Sequence, residues 1–348
     1  MENSPLKFLV IGDPHFKVSN INDTDLMVSS IIKIIENNNY DVVVVLGDIL
    51  DRHETIHVSP LTRSIDFLGK LIKLVPTFVL IGNHDLKNNK QFMSTEHPFT
   101  ALKFFCQSIT YPSNINSMIV DTTQLITIKN QTFVFVPYVP PGRFQEALDL
   151  CPGWDNASCI FAHQEFYNCQ MGVVLSTTGD KWDLNNPFVV SGHIHDYHEL
   201  QNNIIYIGTP IQHTFCDKIN KAISSFIFTD KNIREQSRIN LNLPKKHIIH
   251  LNYIDVSNYQ PPDNCELKIV ITGTSAEIKS IIKHPNIDIW KKLGHKITYK
   301  DKPLENKTTT NTLLLNNTIR FSNCLLENLN NNDRLLKLYH NIFSSIIH

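Results

Sequence analysis

No window of about 18 apolar residues occurs in this sequence, so no membrane-spanning helix is expected. Cysteine never appears as CxxC. The seven cysteines, Cys106, Cys151, Cys159, Cys169, Cys216, Cys265 and Cys324, are scattered singly. An odd, unpaired set argues against a disulfide frame and against a structural zinc site, and fits reduced thiols in an intracellular protein. Excess charge is missing too. The net charge of -1 gives no overall attraction to a polyanion, so any nucleic-acid surface has to be local. Residues 1–15 carry an apolar run too short for a signal peptide. No internal repeat is visible. Apolar residues make up 42% and charged residues 19%, the balance of a globular chain and not a disordered one. With 348 residues, a large core and more than one domain are expected.

What is present is organised around Asp41 to Arg52, DVVVVLGDILDR. Val42 to Leu46 is five apolar, mostly β-branched residues, suited to a strand buried on both faces. It ends at Gly47-Asp48, where glycine permits a tight turn and a carboxylate stands at the strand's C-terminal end. Ligand sites in α/β sheets gather at that end. A lone Gly-Asp there is commonly a solvated turn, but four further segments repeat the pattern. Leu6–Ile11 closes on Gly12-Asp13-Pro14-His15, and Thr77–Ile81 on Gly82-Asn83-His84-Asp85. Ser158–Ala162 closes on His163, and Phe188–Ser191 on Gly192-His193-Ile194-His195.

Helical spacing over 25–37 and after Ser59-Pro60, read as N-cap and first helical position, gives a β-α-β-α-β start with a parallel sheet. Ser117–Val120, Gln124–Ile128 and Phe133–Val136 read as short antiparallel strands, and Phe144–Leu150 as a short helix. Ala222–Thr229 and Ile233–Leu241 read as a hairpin. The expected fold is α/β in layers: two packed sheets flanked by helices over 1–243, then a small α/β capping domain over 244–302. That domain takes strands His247–Leu251, Glu266–Ile271 and His295–Tyr299, with a capping box at Thr274–Glu277. Residues 303–348 read as a linker and a C-terminal helical segment with a stripe from Leu325 to Ile346.

Asp13, His15, Asp48, Asn83, His84, Asp85, His163, His193 and His195 are too many ligands for one ion. Carboxylate, imidazole and amide oxygen together suit manganese, iron or zinc better than magnesium or calcium. Two ions about 3.5–4 Å apart can hold both attacking and leaving oxygens of a phosphoryl displacement.

These five motifs, in this order and each after a strand, resemble the signature of calcineurin-like metallophosphoesterases. The resemblance covers roughly residues 6–230. It implies Asp13, His15 and His195 as ligands of a first divalent metal, Asp48 as bridge, and Asn83, His163 and His193 as ligands of a second. It implies a hydroxide between the metals as nucleophile, and His84 as a catalytic group over the phosphate. Asp85 is assigned to hold the His84 ring. Asp51, Arg52, Gln164, Glu165 and His213 are neighbours with either a supporting or a merely structural role. His53, His57, His97 and His198 are read mostly as bystanders.

Residues 205–228, with Gly208-Thr209-Pro210 after the last motif, are similar to the SbcD-like branch, DNA nucleases of double-strand-break repair. Members of that branch add a capping domain, which residues 266–282 resemble. Many of its archaeal and eukaryotic members have a histidine, linked to exonuclease action, where Asp51 stands, which leaves exo- and endonuclease action both open. Independently, residues 245–302 hold ten lysines against six carboxylates, a net +4 in a chain of net -1, which suits a nucleic-acid backbone. The reading is therefore a two-metal phosphodiesterase, a DNA nuclease subunit favouring manganese. Its expected partners are DNA and an SMC-like ATPase subunit docked on the C-terminal helix, with a homodimer as a further arrangement. Protein phosphatases of the superfamily carry GDxVDRG and GNHE, whereas this chain has GDILDRH and GNHD. A non-catalytic scaffold would be expected to have lost a ligand.

Overall fold

The structure is a computed structural model that describes residues 5–229 and 232–302. The C-terminal segment 303–348, expected to be linker and helix, lies outside the described residues.

The first sheet has the order β14-β13-β1-β2-β3-β4. Its parallel part is β1 (Leu6–Ile11), β2 (Val42–Val45), β3 (Thr77–Leu80) and β4 (Met118–Val120). The hairpin of β13 (Ile223–Thr229) and β14 (Asn232–Ile239) adds to β1 antiparallel, with Phe8 opposite Phe226. The second sheet has the order β11-β12-β10-β7-β6-β5. It comprises β5 (Gln124–Ile128), β6 (Gln131–Val136), β7 (Cys159–Ala162), β10 (Val189–Ser191), β11 (His198–Gln201) and β12 (Ile204–Tyr206). A short hairpin of β8 (Gln170–Met171) and β9 (Val174–Leu175) stands apart from both sheets.

The apolar runs split by parity, as a doubly covered strand requires. Val42, Val44, Phe8, Val10 and Phe78 meet Phe133, Phe135 and Phe161 between the sheets. Val43, Val45, Leu9 and Ile11 face the other way, onto Met27, Ile31, Phe67, Leu68 and Leu71. Those last residues lie on α1 (Ile21–Glu36) and α2 (Val58–Leu74), joined by α3 (Leu102–Ser108). Val134, Val136 and Ile160 pack outward on Phe144, Ala147 and Leu148 of α4 (Phe144–Asp149). The result is helix, sheet, sheet, helix, the layered α/β fold expected.

Two local expectations change. Met118–Val120 was expected to be antiparallel with its successors; it is instead the parallel edge of the first sheet, because α3 carries the chain across as a crossover. The second long helix starts at Val58 with His57 as N-cap, so Pro60 sits inside the first turn, where the missing N–H is not needed.

The third sheet is all parallel, β15 (Lys245–Asn252), β16 (Cys265–Gly273) and β17 (Lys296–Asp301). It is covered on one face by α5 (Ser275–Ile281) and α6 (Pro285–Lys292), whose Ile281, Ile287 and Trp290 share a core with Leu267, Ile269 and Ile271 of β16. The Thr274 hydroxyl and Glu277 carboxylate form the capping box that opens α5. This module meets the core through Lys246, whose ammonium pairs with Asp23 and whose backbone exchanges hydrogen bonds with the Gln212 amide at 2.8 and 3.1 Å. The described cysteines are free thiols. Among the described residues, no helix is long and apolar enough to cross a membrane.

Candidate metal centre

The C-terminal ends of β1, β2, β3, β7 and β10 open on one edge of the sandwich, and the five motif loops meet there. Two clusters form. Asp13, His15 and His195 make one, and Asp48, His163 and His193 the other; within each cluster the ligand-type atoms lie within 4.8 Å of one another. Asn83 joins the second: its Oδ1 is 3.0 Å from both His163 Nε2 and His193 Nδ1. In the first, His15 Nε2 and His195 Nε2 face each other at 3.0 Å. Asp48 stands between the clusters. Its Oδ2 lies 3.7 Å from His15 Nε2 and its Oδ1 3.4 Å from His163 Nε2.

The rings are oriented by backbone carbonyls. His163 Nδ1 is held by Leu46 O at 2.7 Å and His15 Nδ1 by Leu50 O at 3.3 Å. Each contact leaves Nε2 as the free nitrogen, the arrangement typical of ligating histidine. Asn83 Nδ2 donates to Asn89 Oδ1 at 3.2 Å, which turns the Asn83 carbonyl oxygen toward the histidines. Glycine makes the closeness feasible. A Cβ on Gly82 would lie 2.1 Å from Asp48 N, and one on Gly192 2.5 Å from Asp13 Oδ1. His15, Asp48 and His193 adopt positive φ of 43°, 47° and 78°, a strained region for non-glycine residues.

Burial shapes the charges. It pushes Asp13 up to about 8, helped by the Asp48 charge and opposed by His163. Burial, then the His163 charge, pushes His193 down to about 3. Burial also lowers His15 and His195. Asp48 is raised by burial but held well below the usual range by His163, His15 and His84. His163 goes the other way: burial lowers it, and Asp48 and Asp13 outweigh that to bring it to about 9. Mostly neutral imidazoles around a buried carboxylate pair are a donor set for cations. Asp13 Oδ1 is buried with no hydrogen-bond partner, a lone pair left for a ligand the chain itself does not supply. The residues fit two divalent ions.

His84 is half-buried beside the clusters. Its backbone N–H donates to Asp48 Oδ1 at 2.8 Å, its Nδ1 to Asp51 O at 2.7 Å, and its Nε2 lies 4.0 Å from Asp48 Oδ2. Asp85 was expected to hold this ring and does not. Its oxygens accept from the backbone N–H groups of Ile49, Leu50 and Gly82, at 3.0–3.2 Å. It ties the loop after β2 to the loop after β3, and burial with the Asp48 charge raises it to about 7.

Other neighbours sort themselves. His53, read as a bystander, stacks on His84 with centroids 4.7 Å apart. His213 is buried against Asp13 O at 3.2 Å and beside His15. Asp51 pairs with Lys17 at 3.0 Å, and Arg52 is exposed. Gln164 and Glu165 bond Asp180, Ser176 and Thr178 rather than a cluster residue. His97 binds Asp121, His57 occupies the N-cap position of α2 without a side-chain cap bond, and His198 lies on β11. Tyr138 is a residue the sequence did not signal. Its ring lies about 6 Å from those of His163 and His193, and burial pushes its phenol to about 12.

A two-sheet sandwich that gathers two Asp/His clusters at one strand edge is the architecture of a metal-dependent phosphoesterase. The comparisons agree, and the chain belongs to the calcineurin-like phosphoesterases, whose family model matches residues 6–197. It is 42% identical over 285 residues to "Putative phosphoesterase 244L" of Invertebrate iridescent virus 6, covering 80% of this chain and 98% of that one. It is 39% identical over 329 residues to "Putative phosphoesterase 078R" of Invertebrate iridescent virus 3, covering 92% of this chain and 90% of that one.

Proposed function

We propose that this phosphoesterase is a two-metal phosphodiesterase that cleaves DNA, with manganese favoured over iron or zinc, and that it works with an SMC-like ATPase subunit. Asp13, His15 and His195 would hold one cation, Asn83, His163 and His193 the other, and Asp48 both. Divalent cations there would supply charge neutralisation of the phosphoester and activation of water. The chain's own part is orientation and proton handling. Asp51 O holds His84 Nδ1, so Nε2 faces the cleft. In the doubly protonated ring, Nε2–H can stabilise or protonate the departing oxygen.

The observation that carries the nucleic-acid reading is the lysine-bearing face of the third sheet, which no helix among the described residues covers. Lys268 pairs in register with Lys296, and Thr272 with Lys300, on the side away from α5 and α6. The nearby carboxylate of Glu266 is already engaged by Lys246 and Lys296. This lysine face joins the core at Gln212, next to His213, whose ring touches Asp13. Such a surface favours a phosphate backbone. The test is turnover in manganese on linear duplex DNA, single-stranded DNA and a phosphopeptide. Cleavage of DNA supports the proposal; preference for the phosphopeptide removes it and leaves the phosphoesterase.

A further inference from the structure

The β8–β9 hairpin lines the described cleft with residues that are neither cluster ligands nor charged. Its turn is Gly172-Val173, with Gly172 in the left-handed conformation at φ 65°. Val173 is 100% exposed, Val174 63%, Leu175 54% and Met171 43%. Four apolar side chains clustered at one tip in water are costly without a partner. A free two-stranded hairpin is also marginal alone, yet this one is braced. Ser176 N donates to Cys169 O and Asn168 N to Ser176 O, both at 2.9 Å. The Ser176 and Thr178 hydroxyls both donate to the buried Glu165 carboxylate. The Gln170 amide folds back onto Gly172 O at 3.2 Å. The fold therefore holds an apolar tip rigidly outward.

Its position says what it meets. Gln170, Met171 and Gly172 line a cavity of about 520 Å³ together with Asp48, Asn83, His84, His193 and His195. That volume lies within the usual range for a site that takes a whole small ligand, about 300–1,000 Å³. The cluster residues suit a phosphoester, and at the hairpin edge of the same cavity Met171 supplies an apolar side chain. A ligand that fits both carries an anionic ester next to a flat, weakly polar ring. A nucleotide unit does so, whereas a phosphoserine peptide has no ring there. Thioether contacts with rings are favourable, and base stacking is tolerant of sequence because every base has a π-face.

We infer that the β8–β9 hairpin is the base-contacting wall of the cleft, with Met171 packing on the nucleobase beside the scissile phosphodiester and Val173 extending that contact at the tip. This rests on the nuclease reading above. The test compares kcat/KM in manganese for an oligothymidylate and for an abasic deoxyribose-phosphate oligomer of the same length. Wild type is expected to favour the base-bearing strand by about tenfold, from stacking on a single base. The double variant Met171→Ala/Val173→Ala is expected to bring that ratio close to one. Partial misfolding lowers both rates together and leaves the ratio intact, so a ratio at the wild-type value in the variant overturns the inference. A wild-type ratio of one overturns it as well. Cleavage of neither oligomer by wild type removes the nuclease reading and this inference together, an outcome distinct from the other two.

Discussion

The imidazole of His53 lies flat on that of His84, with ring centroids 4.7 Å apart and planes 12° from parallel. His53 is itself fixed through Nδ1 to Leu86 O at 3.2 Å. Two loops thus grip the ring that faces the cleft. Replacing His84 by alanine is expected to lower kcat by about 10²–10³ while both metals still bind. His53→Ala removes only the support, so kcat falls about fivefold to tenfold with KM within about twofold. Steady-state kinetics and metal content by elemental analysis check both. Unchanged turnover in His84→Ala would refute its assigned role.

Gly82 is where the loop after β3 presses closest on Asp48. A methyl group there would sit 2.1 Å from Asp48 N and 2.3 Å from Asp48 Oδ1. Neither atom can move without shifting the shared carboxylate. Gly82→Ala is therefore expected to cost about 1–3 kcal/mol of stability and to weaken metal binding at the same time. Urea denaturation with and without manganese measures both; a variant as stable as wild type with two ions bound contradicts the packing described.

Asn89 touches no cluster histidine, yet it aims the Asn83 amide. Asn89→Leu frees that amide to turn its nitrogen toward His163 and His193. Affinity for the second metal is expected to fall about 10–100-fold, with the first unaffected. Titration calorimetry resolves the two sites, and equal weakening of both would count against the separate roles.

Asp121 lies outside the cleft in a network with His97 at 3.1 Å and Lys103 at 2.5 Å. Burial raises its pKa, but the two partners outweigh burial and hold it below its ordinary 3.8. A carboxyl depressed by folding stabilises above its unfolded pKa, and that contribution is lost as pH falls through the folded value. Asp121→Asn is expected to cost about 1–2 kcal/mol near pH 7. The gap to wild type should close below about pH 4, and denaturant melts across that range decide it.

The five loops could be read from the chain because each follows an unmistakably buried strand: Val42–Val45 cannot be anything else. Strand direction was less legible where the strand is short. Met118–Val120 pairs with β3 only because α3 returns the chain, and nothing within three residues encodes that. Supporting residues were illegible for a related reason. His53, Asn89 and Tyr138 act through contacts across loops, and no spacing rule links them to their partners. Asp85 misled because adjacency to His84 in sequence suggested adjacency in space. The turn points its carboxylate back at Gly82 and the Ile49–Leu50 amides instead.

His15, Asp48 and His193 all sit at backbone angles that glycine would occupy with less penalty. Each such residue stores roughly 1–3 kcal/mol of local strain. Heat tolerance and chemistry are therefore opposed at the same three codons. A screen that rewarded thermal survival alone would drift toward glycine there and recover a sturdier protein with an empty workbench.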